Sequence, residues 1–224
     1  MNYKRITVVC GHYGSGKTNV ALNMAYELKS CGNDVAIADL DIVNPYFRTK
    51  DSIDELNSRG IKLICSDYAG TNLDIPALPD EMYSVIDDKS RNFILDIGGD
   101  DRGALALGRL APSIISENNY EMIAVINMFR PLTRDVYSTV EVLREIEYAG
   151  GIGFTAIINN SNLGTDTTAD DVLNSLNYAN GVANKMGLPV IATSVDERLN
   201  NKLKDKINNL FALKLQNSLL KEEC

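Results

Sequence analysis

An octapeptide, Gly11-His12-Tyr13-Gly14-Ser15-Gly16-Lys17-Thr18, separates two segments of different periodicity. Before it, Ile6-Thr7-Val8-Val9-Cys10 is β-branched and apolar without alternation, as in a strand buried on both faces. After it, Val20, Ala21, Met24, Ala25 and Leu28 recur at three- and four-residue spacing, so Gly16 to Ser30 reads as a helix stopped by Gly32. The octapeptide fits Gly-x-x-x-x-Gly-Lys-[Ser/Thr] throughout. Its glycines let the backbone curl so that successive N–H groups point inward at phosphate oxygens. The helix that starts there favours anions at its N-terminus. Gly11 through Thr18 are therefore expected to bind the phosphates of a nucleotide. Lys17 is expected to bridge the β- and γ-phosphates, and the Thr18 hydroxyl to coordinate Mg2+.

The alternation continues along the chain. Val35-Ala36-Ile37-Ala38, Ile61 to Cys65, Asn92 to Leu95, Ile123 to Ile126, Phe154 to Ile158 and Val190 to Ala192 read as further strands. Residues 51–58, 134–148 and 169–186 read as helices, with another around 80–86. A long final helix is expected to present Leu199, Leu203, Ile207, Leu210 and Phe211 on one face. Residues 66–80 are irregular, broken by Gly70, Pro76 and Pro79. The expected fold is α/β, with a mostly parallel central sheet between two helical layers. No linker divides the chain, so residues 1–224 are expected to form a single domain. Ligands of such sheets bind beyond the carboxyl ends of the strands. Asp41, Asp96, Asn127 and Asn160 all fall there with the octapeptide.

Composition narrows the partners. The 224 residues are 45% hydrophobic and 23% charged, the profile of a soluble globular protein, with a net charge of −8. That sign opposes nucleic acid in general, although a local basic patch stays open. No apolar run reaches membrane-spanning length, so no membrane partner is expected. The four cysteines, Cys10, Cys31, Cys65 and Cys224, form no Cys-x-x-Cys pair. They read as reduced thiols of a cytoplasmic protein.

Carboxylates end two of the strands. Asp96 closes Asn92 to Leu95 and is expected to hold Mg2+ through water. Gly98-Gly99 follows, where the backbone can swing toward a γ-phosphate. Asp39 and Asp41 close the second strand. Asp41 is assigned to orienting the attacking water or a magnesium-bound water. Asp39 is read as a structural strand-end residue.

Together the octapeptide, Asp39-Leu40-Asp41 and Asp96-Ile97-Gly98-Gly99 resemble the MinD/ParA-like (SIMIBI-class) P-loop ATPases. The resemblance covers nearly the whole chain. It extends to Val125-Ile126-Asn127, Thr133-Arg134-Asp135 and Ile158-Asn159-Asn160-Ser161. That superfamily includes the nitrogenase iron protein, Mrp-type cluster carriers, and dethiobiotin and cobyrinic-acid synthetases. The resemblance implies a three-layer P-loop NTPase fold, with Asp41 as the switch I aspartate and Asp96 as the Walker B aspartate. It places Asn159-Asn160 against the base and allows a nucleotide-dependent homodimer. One departure is His12, which stands where many members carry a signature lysine. The loop is also similar to that of the nickel-insertion GTPases, whose metal-binding Cys and His residues are absent here.

A GTPase usually reads guanine with the Asp of Asn-Lys-x-Asp. Asn159-Asn160-Ser161-Asn162 lacks it, which favours ATP. The amide of Asn160 is suited to adenine, accepting from its amino group and donating to a ring nitrogen. Three functions stay open: a slow ATPase switch or maturation factor for a protein client, an ATP-dependent enzyme phosphorylating a small carboxylate, and a nucleotide-binding module without hydrolysis. A metal-insertion GTPase is a further alternative. Asn44-Pro45-Tyr46-Phe47-Arg48 and residues 72–79 are candidate contact loops. Asp100, Asp101 and Arg102 extend the segment after Asp96, and Arg130 is a candidate anion ligand.

Overall fold

The structure, a computed structural model, describes residues 3–40, 53–65, 83 and 86–215. Eight strands form one sheet: β1 (Ile6–Gly11), β2 (Val35–Leu40), β3 (Lys62–Cys65), β4 (Asn92–Gly98), β5 (Tyr120–Ile126), β6 (Ala156–Asn159), β7 (Val190–Asp196) and β8 (Leu210–Leu213). Their spatial order is β3-β2-β4-β1-β5-β6-β7-β8. Every described pairing is parallel. The helices are α1 (Lys17–Ser30), α2 (Ile53–Ser58), α3 (Asp101–Glu117), α4 (Val136–Gly150), α5 (Ala169–Met186) and α6 (Glu197–Leu203).

The central strands are unbroken apolar runs because helices cover both faces. Val9, Ile37, Ile94, Val125 and Ile158 pack on one side with α1 and Leu56 of α2. Cys10, Ala38, Leu95, Ala124 and Ile157 pack on the other, against Leu107, Leu110 and Ile114 of α3, Leu143 and Ile146 of α4, and Tyr178 and Val182 of α5. Local chemistry sets the ends of these helices. Asp100 accepts from the Gly103 N–H at 2.9 Å and starts α3. Thr168 and Asp171 form a reciprocal capping box on α5.

Two sequence expectations change. The long final helix is instead the short α6, a turn and β8. Leu199, Leu203 and Ile207 do share a buried cluster, with Val172 and Val195. Leu210 to Leu213, however, run parallel to β7, Thr193 pairing with Leu210. The sheet edge left by β7 outcompetes continuation of the helix, because Asn208-Asn209 propagate a helix poorly. Asn23 of α1 fixes the new strand's end: its Nδ2 donates to the Lys214 carbonyl at 3.0 Å, and the Lys214 N–H donates to its Oδ1 at 2.9 Å. The second change is α3, a full helix in a stretch where the sequence pattern predicts no element. The helix expected at 80–86 falls mostly outside the described residues.

Candidate functional site

The octapeptide sits at the carboxyl end of β1, between β4 and β5, at the centre of the sheet. Gly11 is the last residue of β1 and pairs with Gly98 of β4. The Ser15 N–H donates to the His12 carbonyl at 3.0 Å and closes the turn. Gly14 and Gly16 adopt left-handed φ values of 73° and 83°, which only glycine takes without strain. Gly16 is the N-cap of α1 and offers no side-chain acceptor, and the first turn carries no acid. The first N–H groups of α1 thus lack a side-chain cap and suit an anion. Ser15, Lys17 and Thr18 are all buried, whereas Tyr13 is 57% exposed. His12 is half-buried, with Nδ1 3.1 Å from the Tyr13 carbonyl.

Asp39 and Asp96 are register partners on β2 and β4. Their neighbours Ile37 and Ile94 pack on the α1 side of the sheet, and strand alternation puts both carboxylates on that side. Adjacent strands lie about 4.8 Å apart. Asp96 is wholly buried and Asp39 nearly so. Two carboxylates at this spacing, with the Thr18 hydroxyl opening the helix on the same face, are hard oxygen donors that fit Mg2+. Among the described residues no cluster of three or more His, Cys, Asp or Glu residues is arranged to hold a metal. A magnesium ion there would draw its remaining oxygens from phosphate and water. Asp41, and the candidate contact loops at 44–48 and 72–79, lie outside the described residues. So do the side chains of Asp101 and Arg102.

Gly99 packs directly on the octapeptide. A Cβ at Gly99 would lie 2.4 Å from the Gly11 carbonyl oxygen and 3.0 Å from the His12 nitrogen. The segment after Asp96 and the start of the phosphate loop are therefore in backbone contact.

The asparagines after β5 and β6 brace the loop. Asn160 donates through Nδ2 to the Ser15 carbonyl at 2.6 Å, and its Oδ1 accepts from Ser194 Oγ at 2.7 Å. Its amide is held by the protein here, where the sequence had suggested a base contact. Asn159 is fully buried: its Nδ2 donates to Ser175 Oγ at 2.8 Å and its Oδ1 accepts from Ser161 Oγ at 2.7 Å. Asn127 joins the two loops, its Oδ1 accepting from the N–H groups of Phe129 and Asn162. Arg130 donates from Nε to the Gly14 carbonyl at 2.7 Å, so this candidate does reach the loop. Ser194 and Ser175 escaped the sequence reading. A serine in or beside an apolar element carries no local signal of the amide it will meet.

A strand–loop–helix of this geometry at the centre of a parallel sheet defines a P-loop nucleotide-binding protein. The family model for the CobQ/CobB/MinD/ParA nucleotide-binding domain matches residues 6–222, and the chain belongs to that family. It is thus a member of the MinD/ParA-like P-loop superfamily. Among solved structures it is similar to chloroplast FtsY from Physcomitrella patens, with TM-score 0.60 and 16% identity over 88% of this chain and 60% of that one. FtsY from Mycoplasma mycoides aligns with TM-score 0.55 and 16% identity, covering 85% of this chain and 59% of that one. The signal recognition particle receptor FtsY from Elizabethkingia anophelis, in complex with GDP, gives 0.54 and 15%, covering 97% and 62%. At these identities the likeness is one of fold, and the chain spans about three fifths of those proteins' length. No curated protein matches it in sequence. No helix among the described residues is long and apolar enough to cross a membrane.

Proposed function

We propose that the protein binds Mg·ATP and hydrolyses it slowly, as a nucleotide-controlled switch or maturation factor acting on a protein partner. The observation that carries this reading is the phosphate loop with its left-handed glycines, the α1 N-terminus without a side-chain cap, and the Asp39–Asp96 carboxylate pair on the same side of the sheet. In this reading the N–H groups of residues 11–18 hold the polyphosphate and Lys17 neutralises the β- and γ-phosphates. Thr18 and Asp96 would hold a magnesium ion, Asp96 through water, which would supply charge neutralisation at the transferring phosphate. Asp41 orients the attacking water. ATP rather than GTP is favoured by the lack of a carboxylate in Asn159-Asn160-Ser161-Asn162.

Several features support a switch. The Gly99–Gly11 contact couples the segment after Asp96 to loop geometry, so phosphate release has a direct route to α3. Exposed Leu132 and Tyr137, in the segment after Arg130, suit a protein surface. Unassisted turnover of such switches is slow, so a partner is expected to accelerate it. Phosphate release from Mg·ATP by the wild type, Lys17→Ala and Asp96→Asn tests the reading. Slow release by the wild type, abolished in both variants, is the expected result. Tight ATP binding with no release at any protein concentration would leave a binding module instead.

A further inference from the structure

Arg130 is bonded to the phosphate loop itself. Its Nε donates to the Gly14 carbonyl at 2.7 Å. A Cβ built on Gly14 would lie 3.1 Å from that Nε and 3.3 Å from Cδ and Cζ, so the guanidinium lies against the loop where it turns left-handed. The side chain springs from a braced turn at the end of β5. The Arg130 N–H donates to the Asn127 carbonyl at 3.3 Å, and the Thr133 N–H donates to the Arg130 carbonyl at 3.1 Å. Thr133 Oγ1 also donates to the Asn127 carbonyl at 2.7 Å. Asn127 is fully buried.

The rest of the guanidinium is open to a ligand. Arg130 is exposed, and no described carboxylate pairs with it, unlike Arg5, Arg59, Arg91, Arg144 and Arg198. A guanidinium carries five N–H donors in a planar fork, and a single carbonyl uses one of them. The fork matches phosphate oxygens two at a time. Placing it, unpaired by any described carboxylate, on the rim of a phosphate loop, in a protein of net charge −8, concentrates positive charge where a polyanion is to bind.

We propose that Arg130 is an arginine ligand of the nucleotide polyphosphate, supplied by the same chain. Nε keeps its bond to Gly14, and the two Nη atoms take phosphate oxygens at the loop's rim. This inference rests on the nucleotide-binding reading of the loop and adds a second cation to Lys17.

The test is the dissociation constant of Mg·ATP for wild type, Arg130→Ala and Arg130→Lys, each at low and high salt, with unfolding midpoints measured without nucleotide. Arg130→Ala should bind roughly tenfold to a hundredfold more weakly, as for loss of a charge-assisted phosphate contact. Its affinity should also depend less on salt, and its unfolding midpoint should stay near wild type. Arg130→Lys should recover part of the affinity, keeping the charge but not the fork. Affinity of Arg130→Ala within twofold of wild type overturns the inference and leaves the nucleotide reading intact. Equal weakening in both variants, with a lowered unfolding midpoint, also overturns it and makes Arg130 a brace for the loop. A wild type that binds no nucleotide removes the reading and the inference together.

Discussion

The side-chain amide of Asn160 donates to the backbone carbonyl of Ser15 at 2.6 Å, although the two residues are 145 positions apart. The bond ties the loop after β6 to the phosphate loop after β1, across the intervening β5. Ser194 on β7 fixes the other end of the amide. Gly16 is the residue that makes room, because a Cβ there would lie 2.2 Å from Asn160 Nδ2. Replacing Asn160 with Ala leaves the Ser15 carbonyl and the Ser194 hydroxyl buried without this partner. A loss of about 2–3 kcal/mol is expected. Urea denaturation without nucleotide reads that loss, and Mg·ATP affinity should fall with it because the loop is no longer held.

Gly99 and Gly32 give contrasting alanine substitutions. At Gly99 the new methyl meets the Gly11 carbonyl oxygen at 2.4 Å, so the backbone of one of the two segments has to move. Gly99→Ala is expected to impair nucleotide binding and turnover. At Gly32 no described atom lies within 4 Å of the new methyl, but φ is 86°. Gly32→Ala should cost about 1 kcal/mol of stability from left-handed strain, with nucleotide affinity unchanged. Parallel calorimetry and denaturation of the two variants separates site geometry from backbone strain.

Arg5 anchors the end of the sheet opposite the loop. Its buried guanidinium pairs with Glu117, also nearly buried, and donates to the carbonyls of Ile86 at 2.7 Å and Asp88 at 3.0 Å. Arg5→Ala leaves those carbonyls without this donor in a poorly hydrated place and leaves Glu117 with Lys89 as its cation. A loss of about 2–3 kcal/mol is expected, seen as a lower urea midpoint. Nucleotide affinity of the folded fraction should not change.

The helix caps predict an acid limb. The hydrogen bond from the Thr168 side chain holds the Asp171 carboxyl below its ordinary value of 3.8, and the Ser138 backbone N–H does the same for Asp135. A group whose folded pKa is depressed adds stability above its unfolded pKa and loses it as pH falls through the folded one. Both caps should therefore contribute fully above about pH 4 and fade below it. Thermal midpoints of wild type and Asp171→Asn, measured from neutral to acid pH, should differ near neutrality and converge in acid. A gap that widens in acid would contradict the assignment.

Much of this architecture was legible in the chain, and the exceptions share a cause. The span 169–186 matched α5 because its periodicity and its Thr168–Asp171 box act within one turn. The phosphate loop was legible because its glycines are needed for local backbone geometry. By contrast, β8 exists because β7 offers an open edge and Asn23 a clamp, neither of which is local to residues 210–213. In α3, Gly103, Gly108 and Pro112 interrupt the local pattern, while Leu107, Leu110 and Ile114 on the sheet hold the helix in place. At the site, the positions of Asp96 and Arg130 followed from strand ends. The tertiary partners of Asn160, namely Ser15 and Ser194, are set by the order of strands in the sheet and not by any neighbouring residue.

The most direct test of the central claim is thermal unfolding with Mg·ATP or Mg·GTP, on wild type and Lys17→Ala. Ligand at about 100 times its dissociation constant adds about 2.7 kcal/mol. For a chain of this size that is a rise of roughly 5–11 °C. That rise is expected with Mg·ATP for the wild type, a smaller one with Mg·GTP, and none for Lys17→Ala. Preference for Mg·GTP would reverse the choice of base. Wild-type protein shown to be free of bound nucleotide, with no rise in either nucleotide, would contradict the account at its root.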